Sequence, residues 1–80
     1  MSESLKPDRA VDCIGLYCPM PILKAREELD KMKVGEVLEL IADDPAAEED
    51  FKYFAKTTGQ ELLKIERDEG QKRFLIKKIK

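Results

Sequence analysis

The sequence predicts an α/β (α+β) fold: a two-layer βαβαββ sandwich with two helices on one face of a four-stranded sheet. Three observations lead there. Eighty residues and 9.2 kDa hold a single small core, because a chain of this length buries only about 60% of its unfolded surface. The apolar residues switch between helical spacing and β-type runs, and glycines, prolines and acidic residues punctuate each switch. Two helices in so short a chain can cover only one sheet face.

Met1 to Pro7 carries little apolar pattern, so residues 1-7 are expected as a flexible leader and 8-80 as a single domain. Arg9 to Cys13 reads as the first strand, which Gly15 breaks. After Cys18-Pro19-Met20-Pro21, the residues Ile22, Ala25, Leu29 and Met32 recur three, four and three apart, one stripe of a first helix. Prolines suit its first turn, where N–H groups lack intrahelical partners, and Glu27 stands four before Lys31 as a favourable pair. Gly35 is placed as a helix stop or turn, and Glu36 to Ala42 as a largely buried second strand.

Asp44 is expected to N-cap a second helix with Pro45 at its first position, Ala47, Phe51, Phe54 and Ala55 on its inner face and Gly59 as its stop. Leu62 to Arg67 and Lys72 to Ile79 read as strands joined by Asp68-Glu69-Gly70-Gln71, a hairpin turn. Lys77, Lys78 and Lys80 fit the decoration of an edge strand.

Composition removes whole classes of function. Fifteen basic and 17 acidic residues leave a net charge of -2, without the positive field that nucleic-acid binding needs. The chain contains no His, so the commonest general base and metal ligand are missing, and two cysteines cannot close a zinc site by themselves. No metal or organic cofactor is expected. No stretch reaches the ~18 apolar residues of a membrane span, and Glu3, Lys6 and Asp8 stand where a signal peptide would be apolar. A cytoplasmic, reduced setting follows as the expectation, with no membrane partner.

The segment Asp12-Cys13-Ile14-Gly15-Leu16-Tyr17-Cys18-Pro19-Met20-Pro21 joins a strand to a helix and puts a thiol at the joint. A thiolate at a helix start is stabilised by free N–H groups and the helix dipole, so Cys18 is the expected nucleophile, with its pKa lowered. Without a neighbouring base it suits chemistry in which sulfur attacks and is handed on, either sulfur transfer or thiol–disulfide exchange. Cys13 reads as a small packing residue, with a resolving cysteine as its alternative role. Arg26 and Lys24 read as solvated charges, Arg26 also as a partner contact. Asp50 and Glu48 read as helix-surface charges or acidic docking groups, and Phe51, Tyr53 and Phe54 as core and rim.

This segment resembles the TusA, or SirA-like, family, whose signature is Cys-Pro-x-Pro at the start of the first helix. Asp12, Gly15, Leu16, Cys18, Pro19 and Pro21 match its D-x-x-G-L-x-C-P-x-P pattern, Arg26 a common basic position, and Gly35-Glu36 and Asp43-Asp44-Pro45 later motifs. The likeness spans about residues 8 to 78. It implies a mixed four-stranded sheet, as in the C-terminal domain of a bacterial translation initiation factor. It also implies a monomeric sulfur carrier with a persulfide on Cys18, loaded by a cysteine desulfurase or rhodanese-like donor. Delivery would be to an acceptor protein serving tRNA thiolation, molybdenum cofactor assembly or sulfur oxidation. Tyr17 and Gln60 depart from the Arg and His of many members, on a surface that partners read. Two other readings stay open: a dithiol redox protein using Cys13 and Cys18, and a non-catalytic regulatory binding module.

Overall fold

The computed structural model describes residues 7–80, so the expected leader lies outside the described residues except for Pro7. The elements are β1 (Arg9–Cys13), α1 (Met20–Asp30), β2 (Val37–Ala42), α2 (Ala47–Thr58), β3 (Glu61–Asp68) and β4 (Gln71–Lys77). The sheet order is β1-β2-β4-β3. β1 runs parallel to β2, pairing Arg9 with Leu38 through Cys13 with Ala42, and the other neighbours are antiparallel. The sheet is therefore mixed, and the βαβαββ two-layer arrangement is the one the sequence predicts.

Alternation decides which side of the sheet is buried. In β2, Leu38, Leu40 and Ala42 face the helices and join the core, while Glu39 and Ile41 face away. Ala25 and Leu29 of α1 and Ala47, Phe51 and Phe54 of α2 close that core from above. Phe51 is its centre, with ring centroids 4.7 Å from Phe74 and 6.0 Å from Phe54. Burying three aromatic rings against each other contributes several kcal/mol, about 2 to 3 for each fully buried ring. On the helix-free face Arg73 donates to Glu39 at 3.0 Å and to Glu66, which also meets Lys64 at 3.0 Å. No helix of the described residues is long and apolar enough to cross a membrane.

Four local expectations need correction. The α2 ladder starts two residues late: Ala46 is its N-cap and makes no side-chain cap bond, and Pro45 lies in the preceding turn. Asp44 supports that turn instead, its Oδ1 accepting the Ala46 N–H and its carbonyl accepting the Ala47 N–H, both at 3.0 Å. Gly35 is a turn glycine, one of the two roles expected of it, at φ +97, but α1 ends at Asp30, before the Met32 of its expected stripe. Lys31 meets Glu28 rather than Glu27, because Glu28 is the acid turned towards β1, where it also binds Arg9 at 2.7 Å. The lysine-rich end does not decorate an edge, since β4 lies between β2 and β3. Lys78 reaches across to α1 and donates to the Leu29 and Met32 carbonyls at 2.6 and 2.9 Å, capping that helix's C-terminal end.

Candidate functional site

Parallel pairing brings the ends of β1 and β2 together, so the loops that follow them leave the same edge of the sheet side by side. Cys13, the last residue of β1, pairs with Ala42, the last of β2. Residues 14–19 and 43–46 are then tied to each other by two aspartates. Asp43 Oδ1 accepts the Gly15 N–H at 3.0 Å and Asp44 Oδ2 accepts the Cys18 N–H at 2.8 Å. Within the first loop Asp12 Oδ1 accepts the Ile14 N–H at 2.9 Å, an Asx turn, and Leu16 N–H donates to the Cys13 carbonyl at 3.0 Å. Gly15 makes the reversal at φ +85, a conformation that glycine adopts without a Cβ penalty.

Asp44 is the buried member of this pair, 6% exposed. Its two oxygens serve two backbone donors, Cys18 and Ala46, so a carboxylate that would be costly to bury alone has partners on both sides. The result is a loop whose backbone at Cys18 is fixed while the thiol itself is exposed. The Cys18–Pro19 peptide is cis.

Cys18 lies just before the N-cap of α1. Pro19 is the N-cap of α1 and the helical residues begin at Met20, with Met20 N–H donating to the Tyr17 carbonyl at 2.8 Å across the turn that holds Cys18. The thiol has acidic surroundings. Its pKa is raised, first by a hydrogen bond to Asp50, then by desolvation and by the charges of Asp50 and Asp44. The expected lowering is therefore wrong in sign: two carboxylates, delivered by α2 and the loop before it, push the thiol up.

A groove of about 270 Å³ opens between the helices beside the thiol. Cys18, Pro19, Ile22 and Arg26 line one wall, and Asp50, Tyr53, Phe54 and Thr57 the other. Tyr17 is 56% exposed and Tyr53 71%, and Met20 and Leu23 on the first turn of α1 are exposed too, so the thiol stands among accessible apolar side chains. A depression of about 290 Å³ on the helix-free face is lined by Glu39, Glu66 and Arg73, whose charges pair with each other, and no cysteine lines it. Among the described residues no group of three or more Cys, Asp or Glu side chains is placed to share a metal ion.

Of the other residues singled out from sequence, Cys13 is 0% exposed in the core, its pKa raised by burial and by Asp12 and lowered by Lys24. Glu48 is engaged elsewhere, paired with Arg67 and with Lys52 at 3.4 Å. Asp50, which the sequence offers as a helix-surface charge or acidic docking group, lines the groove across from Cys18. Its position carried a signal: it stands three after Ala47 and four before Phe54, both buried, so it flanks the inner stripe.

An exposed thiol on a strand-to-helix loop is pinned by the aspartates of a second loop, and the comparisons with known proteins take in both loops. The family model described as Sulfurtransferase TusA matches residues 9–78. The sulfur carrier protein TusA of Allochromatium vinosum is 48% identical over 71 residues, 89% of this chain and 93% of that one. A relative from Archaeoglobus fulgidus is 48% identical over 73 residues, 90% and 95% of the two chains. The crystal structure of a SirA-like protein from Desulfitobacterium hafniense superposes with a TM-score of 0.73 at 24% identity, covering 90% of this chain and 99% of that one, a likeness of fold. With the family model matching nearly every described element and two relatives near half identical, the chain belongs to the TusA sulfurtransferase family.

Proposed function

We propose that the protein is a sulfur carrier in which Cys18 takes up sulfur as a persulfide and passes it to an acceptor protein. The carrying observation is the exposed Cys18 thiol, held by its backbone to Asp44 and open to the groove between α1 and α2. In uptake the Cys18 sulfur attacks the outer sulfur of a donor persulfide, the donor's S–S bond breaks, and a donor thiol leaves; delivery repeats the exchange with an acceptor thiol. Family membership and a relative named as a sulfur carrier support this reading. The groove is shallow and flanked by Tyr17 and Tyr53, a surface suited to a protein partner more than to an enclosed small substrate.

The donor is of the cysteine desulfurase or rhodanese-like type. Which acceptor docks sets the destination among tRNA thiolation, molybdenum cofactor assembly and sulfur oxidation. One chain supplies every residue of the site, so the monomer suffices, and the need for a free thiol fits a cytoplasmic setting. The dithiol alternative asks Cys13 to attack a Cys18 persulfide, which would require its thiol to leave the core. Incubating the protein with a cysteine desulfurase and radiolabelled cysteine, followed by non-reducing electrophoresis, tests the proposal. Label is expected on the wild type and on Cys13→Ala and absent from Cys18→Ser; label on Cys18→Ser would contradict it.

A further inference from the structure

A helix start normally offers its unpaired N–H groups to an anion, and the loop before it can add more. Around Cys18 these donors are consumed or deleted. Ile14 N–H donates to Asp12 Oδ1 at 2.9 Å, Gly15 N–H to Asp43 Oδ1 at 3.0 Å and Cys18 N–H to Asp44 Oδ2 at 2.8 Å. Leu16, Met20 and Leu23 donate to the carbonyls of Cys13, Tyr17 and Pro19 at 3.0, 2.8 and 3.1 Å. Pro19, the N-cap of α1, and Pro21, its second residue, have no N–H to give. From Ile14 to Leu23 that leaves Tyr17 and Ile22 as the N–H groups without a partner among the described residues, and no N–H of those residues donates to Cys18 Sγ. The thiol is thus exposed on a loop whose amides are turned inwards, two of them by carboxylates that stand 28 and 26 residues further along the chain.

Resting on the sulfur-carrier reading, we propose that Asp12, Asp43 and Asp44 are positioning residues that draw the loop's N–H groups away from Cys18, so that the hydrogen bonds stabilising its sulfur during transfer are supplied by the partner. The partner that fits is a protein whose own reacting cysteine sits among unpaired N–H donors, which reach Cys18 Sγ on docking. In delivery the acceptor thiolate attacks the outer sulfur of the Cys18 persulfide and the Sγ–S bond breaks. Cys18 leaves with that electron pair, and the proton given up by the acceptor thiol ends on Cys18 Sγ. A thiol and a persulfide enter and a persulfide and a thiol leave, so no external oxidant or reductant is needed. A leaving sulfur without donors of its own parts slowly, and donors fixed in the docked partner stabilise the charge where it develops. Loaded sulfur is thereby kept from stray thiols and released in the complex.

The test compares the reduced full chain with an acetylated, amidated peptide of residues 14–23 in about 1 M sodium chloride, which screens charges more than ~3 Å apart. Alkylation of Cys18 by iodoacetamide, read by mass across pH, is expected to titrate no more than about half a unit below the peptide; a larger drop, the mark of donors at the sulfur, would overturn the proposal. Amide exchange at Ile14, Gly15 and Cys18 should be slower than in the peptide by about tenfold or more, and a smaller difference would show that the carboxylates do not hold these donors. Asp43→Ala should lose the protection at Gly15 and Asp43→Asn, which keeps an acceptor oxygen, should retain it; protection unchanged in Asp43→Ala would remove Asp43 from this role. After loading with sodium polysulfide, sulfur transfer to N-acetylcysteine should be no more than about threefold faster from the protein than from the peptide. A greater advantage would place the stabilising donors in the carrier itself. Polysulfide bypasses any protein donor, so these results stand apart from the carrier reading, which fails separately if a cysteine desulfurase never loads Cys18.

Discussion

The carboxylate of Asp44 accepts the backbone N–H of Cys18 at 2.8 Å, joining two loops that lie 26 residues apart in the chain. The same side chain accepts the Ala46 N–H at 3.0 Å, so one buried residue sets both the thiol's position and the entry into α2. Asp44→Ala removes both acceptors and leaves two donors without them. A loss of about 2 to 4 kcal/mol is expected by urea unfolding, with slower sulfur loading at Cys18 in the fraction that stays folded. Stability within about 0.5 kcal/mol of wild type would show that the two bonds are replaceable by water.

Cys13→Ala should separate packing from chemistry. Cys13 is 0% exposed among the core side chains, so trimming its sulfur leaves a small cavity and a loss of about 1 kcal/mol, read from the denaturation midpoint. Sulfur loading should be unchanged. Abolished loading in a folded Cys13→Ala protein would restore the dithiol reading.

The β3–β4 hairpin closes with Glu69 at φ 45 and Gly70 at φ 86, flanked by the pair Asp68 and Gln71. Two positive φ values in a two-residue loop make a type I′ turn, in which glutamate is strained and asparagine is favoured. Glu69→Asn is expected to raise stability by about 0.5 to 1 kcal/mol in thermal or urea unfolding, without effect on Cys18 chemistry.

Acid should weaken the fold through two glutamates. Hydrogen bonds from Arg67 hold the Glu48 carboxyl below the usual range, and those from Arg73 do the same for Glu66. A carboxyl depressed in the folded state adds stability that is present above its unfolded pKa of about 4.3 and is lost as pH falls through the folded value. The urea midpoint should therefore decline between about pH 5 and about pH 3, and Glu66→Gln should flatten part of that decline.

The helices, the strand order along the chain and the inner faces were readable because each rests on local periodicity: Ala25 and Leu29, Phe51 and Phe54, and the alternation of β2 are all where spacing puts them. Cys18 was also legible, because a thiol at a proline-framed turn is a local pattern. What escaped depends on which elements meet. The position of β4 inside the sheet turns Lys78 from decoration into the cap of α1. Parallel pairing of β1 with β2 brings Asp43 and Asp44 to the motif loop, and the packing of α2 against α1 brings Asp50 to the thiol. Asp50 and Asp44 reversed the expected electrostatics of Cys18, and no spacing within the motif itself could reveal them.

The most direct measurement is intact-protein mass spectrometry of the reduced protein before and after incubation with a cysteine desulfurase and cysteine, with the adduct mapped by peptide. A gain of one sulfur atom's mass, removed by reductant and confined to the peptide carrying Cys18, is the expected result. A gain confined to Cys13, or a loss of two hydrogens through a Cys13–Cys18 disulfide in place of any gain, would contradict a carrier that works through Cys18.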